Sequence, residues 1–275
     1  MKLFRQIIDS AERVALFAVI GAMAVIAGWL AWHGSSRLGA EFLFTDPRAA
    51  GTAGGIGPIL INTFIIVGLG AAIASALGLA AAIMVVALED RWRKLTEITE
   101  LLCEVGLAMP RLLWGLVGSV VFGGVFGFGF SAACGIATLA LALAPIAMTS
   151  LTPGLRVAYA EAAETGRALG LSETSLWGRF VLPCCVRTLA TAMLMTVGRG
   201  AGDAAALYLT AGAVLRLIGS PTDSGATLAV YIYQTATSVA GGFDQALSAA
   251  LVLFVLTLLL QAPALWALRS EEEHS

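Results

Sequence analysis

The sequence predicts an all-α protein, built as a polytopic bundle of membrane helices. Hydrophobic residues make up 59% of the 275 residues, only 12% are charged, and the mean hydropathy is +0.89. Soluble domains carry about a quarter charged residues, so this chain has too few charges to cover a water-facing surface. The apolar residues fall in long uninterrupted runs, which are typical of membrane helices and not of the short alternating strands of a membrane barrel.

Charge-poor runs predict six membrane crossings, because about 20 apolar residues span a hydrocarbon core of about 30 Å. The predicted crossings are residues 14–32, 59–88, the two halves of 112–155, 188–216 and 245–268. The run 112–155 is divided by the glycine-rich segment 123–130, which predicts a tight turn. Segment 224–243 is uncharged but rich in Thr, Ser and Gln, so we expect it to be re-entrant or on the surface.

The basic residues orient these crossings. With the N-terminus in the cytoplasm, twelve Lys and Arg residues fall in cytoplasmic segments and three, Arg37, Arg48 and Arg216, fall outside. Cytoplasmic loops of membrane proteins are enriched in Lys and Arg. Both ends of the chain are therefore predicted to be cytoplasmic, and Arg111 is assigned to a cytoplasmic loop.

Several function classes lack the residues that they need. The two histidines and four cysteines have no metal-ligand spacing, so neither a metal site nor a catalytic residue is predicted. No G-x-x-x-x-G-K-[ST] motif occurs, so the chain is not expected to bind nucleotide phosphates through a P-loop. The net charge of −2 predicts no binding of nucleic acid.

The longest predicted cytoplasmic connection is residues 152–187. Residues 159–171 are rich in Ala, Glu and Arg, which favour helix. Gly170 is expected to end that helix, and Ser172 to cap a second one. Pro183 marks the entry to the fifth crossing. The sequence thus predicts two short helices on the cytoplasmic face.

Arg199 lies inside the predicted fifth crossing. A lone arginine in the bilayer centre costs about 2.5–3.5 kcal/mol on insertion scales, so it needs compensation. Asp203 is four residues further on, which is the same face of a continuous helix. Two interpretations remain open at this point: an intrahelical ion pair that stabilises the bundle, or an anion site on a transport pathway, with Gly202 allowing close approach.

The connection 152–187 resembles the coupling loop of ABC importer permeases, whose pattern is E-A-A, three residues, G, nine residues, I, one residue, L-P. Leu182 and Pro183 match its end, Gly170 matches its glycine and Glu164 its glutamate, whereas Thr165 and Gly166 replace the alanines. The resemblance implies a type I ABC importer permease fold with both ends inside. The core would be 54–268, after a first helix and external loop at 1–53 and before a tail at 269–275. It also implies that Glu164, Gly170, Leu182 and Pro183 couple the chain to a separate ATPase subunit.

Further segments resemble the PstA-type permease of phosphate importers. Residues 109–116 are similar to its P-S-I-V-Y-G-L element, 198–205 to R-A-x-G-E-T-A, and 227–233 to T-L-P-V-x-I-Y. This resemblance implies a phosphate pathway that includes Arg199, Gly202 and Asp203.

The same resemblance implies the partners and the location. These are a second, PstC-like permease subunit, two PstB-like ATPase subunits that bind ATP and Mg, a PstS-like extracytoplasmic phosphate-binding protein, and the bacterial inner membrane. Alternatives are a permease for tungstate, molybdate or a phosphonate, and an ion-coupled secondary transporter. The last is disfavoured because the two halves show no inverted repeat.

Overall fold

A computed structural model of the chain describes residues 2–89 and 91–272, with side chains described for 12–89, 91–166 and 168–263. These residues are mostly helical, with one short antiparallel ribbon that pairs β1 (Pro47–Arg48) with β2 (Ala53–Gly54). Two π-helical turns, Ser119–Val125 and Trp177–Val181, continue neighbouring helices. The helices in chain order are α1 (Lys2–Gly34), α2 (Ala40–Phe44), α3 (Gly57–Leu88), α4 (Arg93–Ala108), α5 (Arg111–Gly118), α6 (Ala132–Ala168), α7 (Glu173–Leu176), α8 (Leu182–Cys184), α9 (Val186–Ala201), α10 (Ala204–Tyr208), α11 (Leu228–Ser238) and α12 (Phe243–Glu272).

Four helices in the described part of the chain are long and apolar enough to cross a membrane: α1, α3, α6 and α12. Two bent pairs meet the same criteria as units. One is α4 with Arg111–Val125, bent by 105°, and the other is Glu173–Cys184 with α9, bent by 67°. The described residues therefore supply between four and six candidate spans, which supports a multi-pass membrane protein.

The centre of the bundle is the contact between α3 and α6. Small residues let these helices approach closely: a Cβ added to Gly78 would lie 2.7 Å from the backbone nitrogen of Met148, and one added to Gly70 would lie 3.0 Å from Leu139. Between membrane helices the hydrophobic effect is weak, so close van der Waals packing of this kind drives association. Ile66, Val67, Leu139 and Leu143 fill the adjoining core.

Helix α6 runs unbroken through Pro145 and Pro153 to Ala168. Between the two prolines, Thr149 and Ser150 donate to the carbonyl oxygens of Pro145 and Ile146 at 2.9 and 2.8 Å. These bonds to the residue four positions earlier satisfy the hydroxyl groups within the helix itself. The prediction of a separate short helix at 159–171 is therefore wrong, because the membrane helix itself continues through this segment.

The predicted end of that segment is confirmed. Gly170 has a φ of +67°, and Leu171 donates to the carbonyl oxygen of Gly166 at 3.0 Å. This is the hydrogen bond expected after a glycine that closes a helix. Ser172 caps α7 by accepting from the backbone nitrogen of Ser175, as its residue type predicts.

The other end of the bundle is closed by the loop before α3. Tyr231 donates to the carbonyl oxygen of Gly51, and Gln245 to that of Gly54, both at 2.8 Å. Helix α11 has 11 residues, which is about 16 Å and too short to cross the membrane. Segment 224–243 thus does not span, as expected, and Leu228 and Tyr231 at the start of α11 are fully buried.

The predicted tail at 269–275 begins within α12, which extends to Glu272. Residues 273–275 lie outside the described part of the chain.

The α3–α6 contact generates a matched test. Replacing Gly78 with Ala forces the helices apart, and overpacking of this kind costs about 1–3 kcal/mol. Replacing Gly68 with Ala on the same helix meets no atom within 4 Å and should leave stability equal or slightly higher. Thermal unfolding in detergent measures both. Equal melting temperatures for the two variants would contradict the assignment of this contact.

Candidate functional site

The fifth predicted crossing is broken at Gly202. Helix α9 ends at Ala201, and Asp203 begins α10 by accepting from the backbone nitrogen of Ala206 at 3.1 Å. Glycine is a poor helix former and aspartate is among the best N-cap residues, so the local sequence favours a break here. A continuous helix at 188–216 was therefore the wrong prediction.

Because of this break, Asp203 does not pair with Arg199. Its Oδ2 lies 3.7 Å from Nε of Arg111, and its side chain is 3% exposed. Arg111 also donates to the carbonyl oxygen of Ala142 at 3.2 Å. The first of the two interpretations, an intrahelical pair of Arg199 with Asp203, is therefore wrong, and Asp203 forms a tertiary ion pair between α5 and the α9–α10 junction.

The charge distribution assigned Arg111 to a cytoplasmic loop, but in the structure Arg111 lies within a bent candidate span. Ala142, its partner on α6, lies ten residues beyond the start of that helix, which is about 15 Å along the axis. That length is about half the thickness of a hydrocarbon core. Arg111 begins α5 directly after the bend at Met109–Pro110, so it lies where a candidate span is broken.

Arg199 lies at a similar depth but in a different environment. A Cβ added to the adjacent Gly200 would lie 3.2 Å from Val67, which is ten residues into α3, and 3.0 Å from Leu143. The Arg199 side chain is exposed on the surface of the chain. Among the described residues, no Asp or Glu pairs with it within 4.0 Å.

Gly202 is exposed beside Arg199, and an added Cβ would meet only the carbonyl oxygen of Arg199 at 3.9 Å. The three predicted pathway residues thus separate into an exposed pair, Arg199 and Gly202, and a buried Asp203. An exposed guanidinium with planar donors can bind two oxygens of an anion at once.

A second feature is an apolar groove of about 300 Å³ between the end of α6 and α7, called here the α6–α7 groove. Its lining residues are Ala158, Glu161, Ala162, Thr165, Gly166, Leu169, Leu171, Leu176, Phe180 and Cys184. The chain reversal at Gly170 forms the groove by turning α7 back against α6.

The predicted coupling residues surround this groove and do not line it. Glu164 and Pro183 are exposed, and Leu182 is half-buried. Glu164 instead borders a neighbouring cleft with Glu89 and Arg156. The glutamate that lines the groove is Glu161, the first residue of the literal Glu161-Ala162-Ala163 segment, which the spacing argument had set aside.

Ion pairs brace the same end of the molecule. Arg156 on α6 contacts Glu89 after α3 at 3.1 Å and Glu100 on α4 at 3.2 Å. All three side chains are partly exposed, so each pair contributes at most about 1 kcal/mol. In the described residues, no three His, Cys, Asp or Glu side chains come together as potential metal ligands.

The different environments of the two arginines predict different effects on stability. Arg111→Ala leaves Asp203 buried without its partner charge and should destabilise the protein by about 3–5 kcal/mol. Arg199→Ala removes no ion pair within the described residues and should cost less than about 0.5 kcal/mol. Thermal unfolding of the purified chain compares them directly. A loss at Arg199 as large as that at Arg111 would mean that Arg199 is structural.

No protein-family model matches the chain. Among curated proteins it is similar to "Probable ABC transporter permease protein YqgI" of Bacillus subtilis, with 26% identity over 71% of this chain, and to YqgH of the same organism, a probable ABC transporter permease protein, with 28% identity over 70%. The matches cover 66% and 64% of those relatives, so the chain spans about two thirds of their length or slightly less. The phosphate transport system permease protein PstA of Haemophilus influenzae is 29% identical over 86% of this chain and 87% of its own length.

Two solved structures have a similar fold. A chain of an amino acid ABC transporter matches 77% of this chain and 92% of its own length, with a TM-score of 0.53 and 16% identity. A chain of a bacterial alginate ABC transporter, solved with a periplasmic protein bound to an alginate pentasaccharide, matches 96% of this chain and 92% of its own length, with a TM-score of 0.63 and 13% identity. The relatives and the fold together support an ABC transporter permease subunit, a multi-pass membrane component.

Proposed function

We propose that the chain is the transmembrane permease subunit of an ATP-driven importer for inorganic phosphate in the bacterial inner membrane. The observation that carries the proposal is the exposed Arg199 beside Gly202, next to Gly200, which packs ten residues into the candidate span α3, and without a carboxylate partner in the described residues. An arginine in contact with lipid at that depth is costly, so this surface must face water, an anion or another subunit. The similarity to PstA over 86% of the chain favours phosphate among the oxyanions.

The mechanism begins with the guanidinium of Arg199. Its planar donors match two oxygens of a tetrahedral oxyanion, which a lysine ammonium cannot do. Asp203 accepts a hydrogen bond from Ala206 and pairs with Arg111, so it does not compete with the anion for Arg199. Release must come from opening the pathway to water, because a charge interaction weakens several-fold as the effective dielectric constant rises.

The groove supplies a route for coupling. In this proposal an ATPase subunit docks at the α6–α7 groove, and a second permease subunit covers the surface that carries Arg199. An extracytoplasmic binding protein delivers the anion. From Gly166 in the groove to Ala142 beside Arg111, α6 is one helix of about 36 Å, so a displacement at the groove is transmitted to the depth of Arg111 and Gly200.

The substrate pathway is tested by uptake of labelled phosphate into proteoliposomes that contain the complete transporter. Arg199→Ala should lower uptake by about ten-fold or more, because charge-assisted hydrogen bonds contribute about 1.5–3 kcal/mol. Arg199→Lys should be impaired, since it keeps the charge and loses the planar donors. Arg216→Ala, which removes an exposed arginine elsewhere, is the matched control.

Wild-type uptake by an assembled Arg199→Ala transporter would reject the pathway role. Uptake of tungstate, molybdate or a phosphonate by the wild-type transporter, with no uptake of phosphate, would reassign the substrate to another oxyanion.

The coupling role is tested at Gly170. Valine is strongly disfavoured at a φ of +67°, so Gly170→Val should distort the reversal and lower the stimulated ATP hydrolysis several-fold, with assembly intact. Gly178→Val is the matched control, because Gly178 is exposed, has an ordinary φ and meets no atom within 4 Å. Stimulation that survives in Gly170→Val, or that is lost equally in both variants, would contradict coupling through this turn.

A further inference from the structure

One ion pair joins the bend of a candidate span to the end of α9. The bend is at Met109–Pro110, which Arg111 follows, and α9 ends at Ala201, after which Gly202 and Asp203 lead into α10. Gly115 on α5 extends this contact, because a Cβ there would lie 2.8 Å from Cα of Ala206 on α10. Helix α5, directly after the bend, is thus packed against α10, directly after the end of α9.

The carboxylate of Asp203 contacts both α10 and α5. Its Oδ1 accepts from Ala206 and so starts α10. Its Oδ2 is buried without a hydrogen-bond partner and lies 3.7 Å from Nε of Arg111. An uncompensated carboxylate in a low-dielectric site is strongly unfavourable, so the charge of Arg111 is what keeps Asp203 in this position.

We propose that Arg111 is a positioning residue for Arg199: by pairing with Asp203 it fixes the point at which α9 ends and thereby the presentation of Arg199 and Gly202 to the transported anion. This role rests on the proposed function. Arg111 itself does not contact the anion, because its guanidinium is engaged by Asp203 and by the carbonyl oxygen of Ala142.

The geometry also predicts the behaviour of a conservative variant. The contact at 3.7 Å acts through charge and not through a hydrogen bond. A lysine at position 111 keeps that charge and loses the bond to Ala142. Arg111→Lys should therefore retain part of the function that Arg111→Gln loses, which is the opposite of the requirement at Arg199, where the planar donors are needed.

The first test needs no knowledge of the substrate. In the complete transporter, with the four native cysteines replaced by alanine, Gly202→Cys is labelled with a membrane-impermeant thiol reagent. Arg111→Gln and Asp203→Asn should each change the labelling rate by about five-fold, and the double variant should change it no further than either alone, because contacting residues that act as one unit are not additive. Asparagine still caps α10, so Asp203→Asn isolates the charge.

The matched control is Arg216→Gln. It removes another arginine–aspartate contact, with Asp223 at 3.8 Å, in which the arginine side chain is 66% exposed. In this control the thiol introduced at position 202 should be labelled at the same rate as in the parent. An unchanged rate in Arg111→Gln, or additive effects in the double variant, would overturn the proposal and leave Asp203 as a helix cap alone.

The second test distinguishes a positioning role of Arg111 from a general loss of transport activity. For phosphate uptake, Arg111→Gln should raise KM by about ten-fold and change the maximal rate by less than about two-fold, with Arg111→Lys in between. A fall in maximal rate with unchanged KM would contradict a role through Arg199. If the wild-type transporter does not carry phosphate, the proposed substrate is rejected, whereas thiol labelling of the Gly202→Cys transporter still decides the role of Arg111.

Discussion

The close contact between α3 and α6 is the interaction on which the rest of the structure depends. Gly78 lets the two backbones meet, and the core beside them holds Val67, Leu139 and Leu143. Gly200 packs on these three side chains, so the end of α9 is placed by the α3–α6 pair. Because α6 then continues unbroken to the α6–α7 groove, one continuous helix connects the level of the arginines with the surface that an ATPase is proposed to bind.

Two arginines at similar height in the helix bundle lie in opposite environments. Arg111 is matched by a buried carboxylate and a backbone carbonyl, so its charge is compensated within the chain. Arg199 is exposed without such compensation in the described residues. A transport pathway requires a charge that is available to its cargo, and a structural ion pair requires the reverse. Burial and hydrogen-bond partners therefore distinguish the two arginines, whereas their height in the bundle does not, and the proposed roles rest on this difference.

Features that depend on neighbouring residues were predictable from the sequence. The helix end at Gly170 and the cap at Ser172 follow from local hydrogen bonding, and the long apolar runs follow from the thickness of the bilayer. The pairing of Arg111 with Asp203 joins distant parts of the chain, so the hydrophobic periodicity of the sequence does not predict it. The break at Gly202 was missed because an apolar run indicates that a segment lies in the membrane. It does not indicate whether the helix in that segment is continuous. The spacing of the coupling-loop motif favoured Glu164, yet in the fold Glu161 lines the α6–α7 groove.

The central claim is that the guanidinium of Arg199 faces the transport pathway. The most direct measurement is its position in a cryo-electron microscopy structure of the complete transporter in lipid nanodiscs with phosphate. We expect Arg199 to border a water-filled space shared with the second permease subunit, and Asp203 to remain beside Arg111. An Arg199 packed against acyl chains, or fixed by a carboxylate of a partner subunit with and without phosphate, would contradict it.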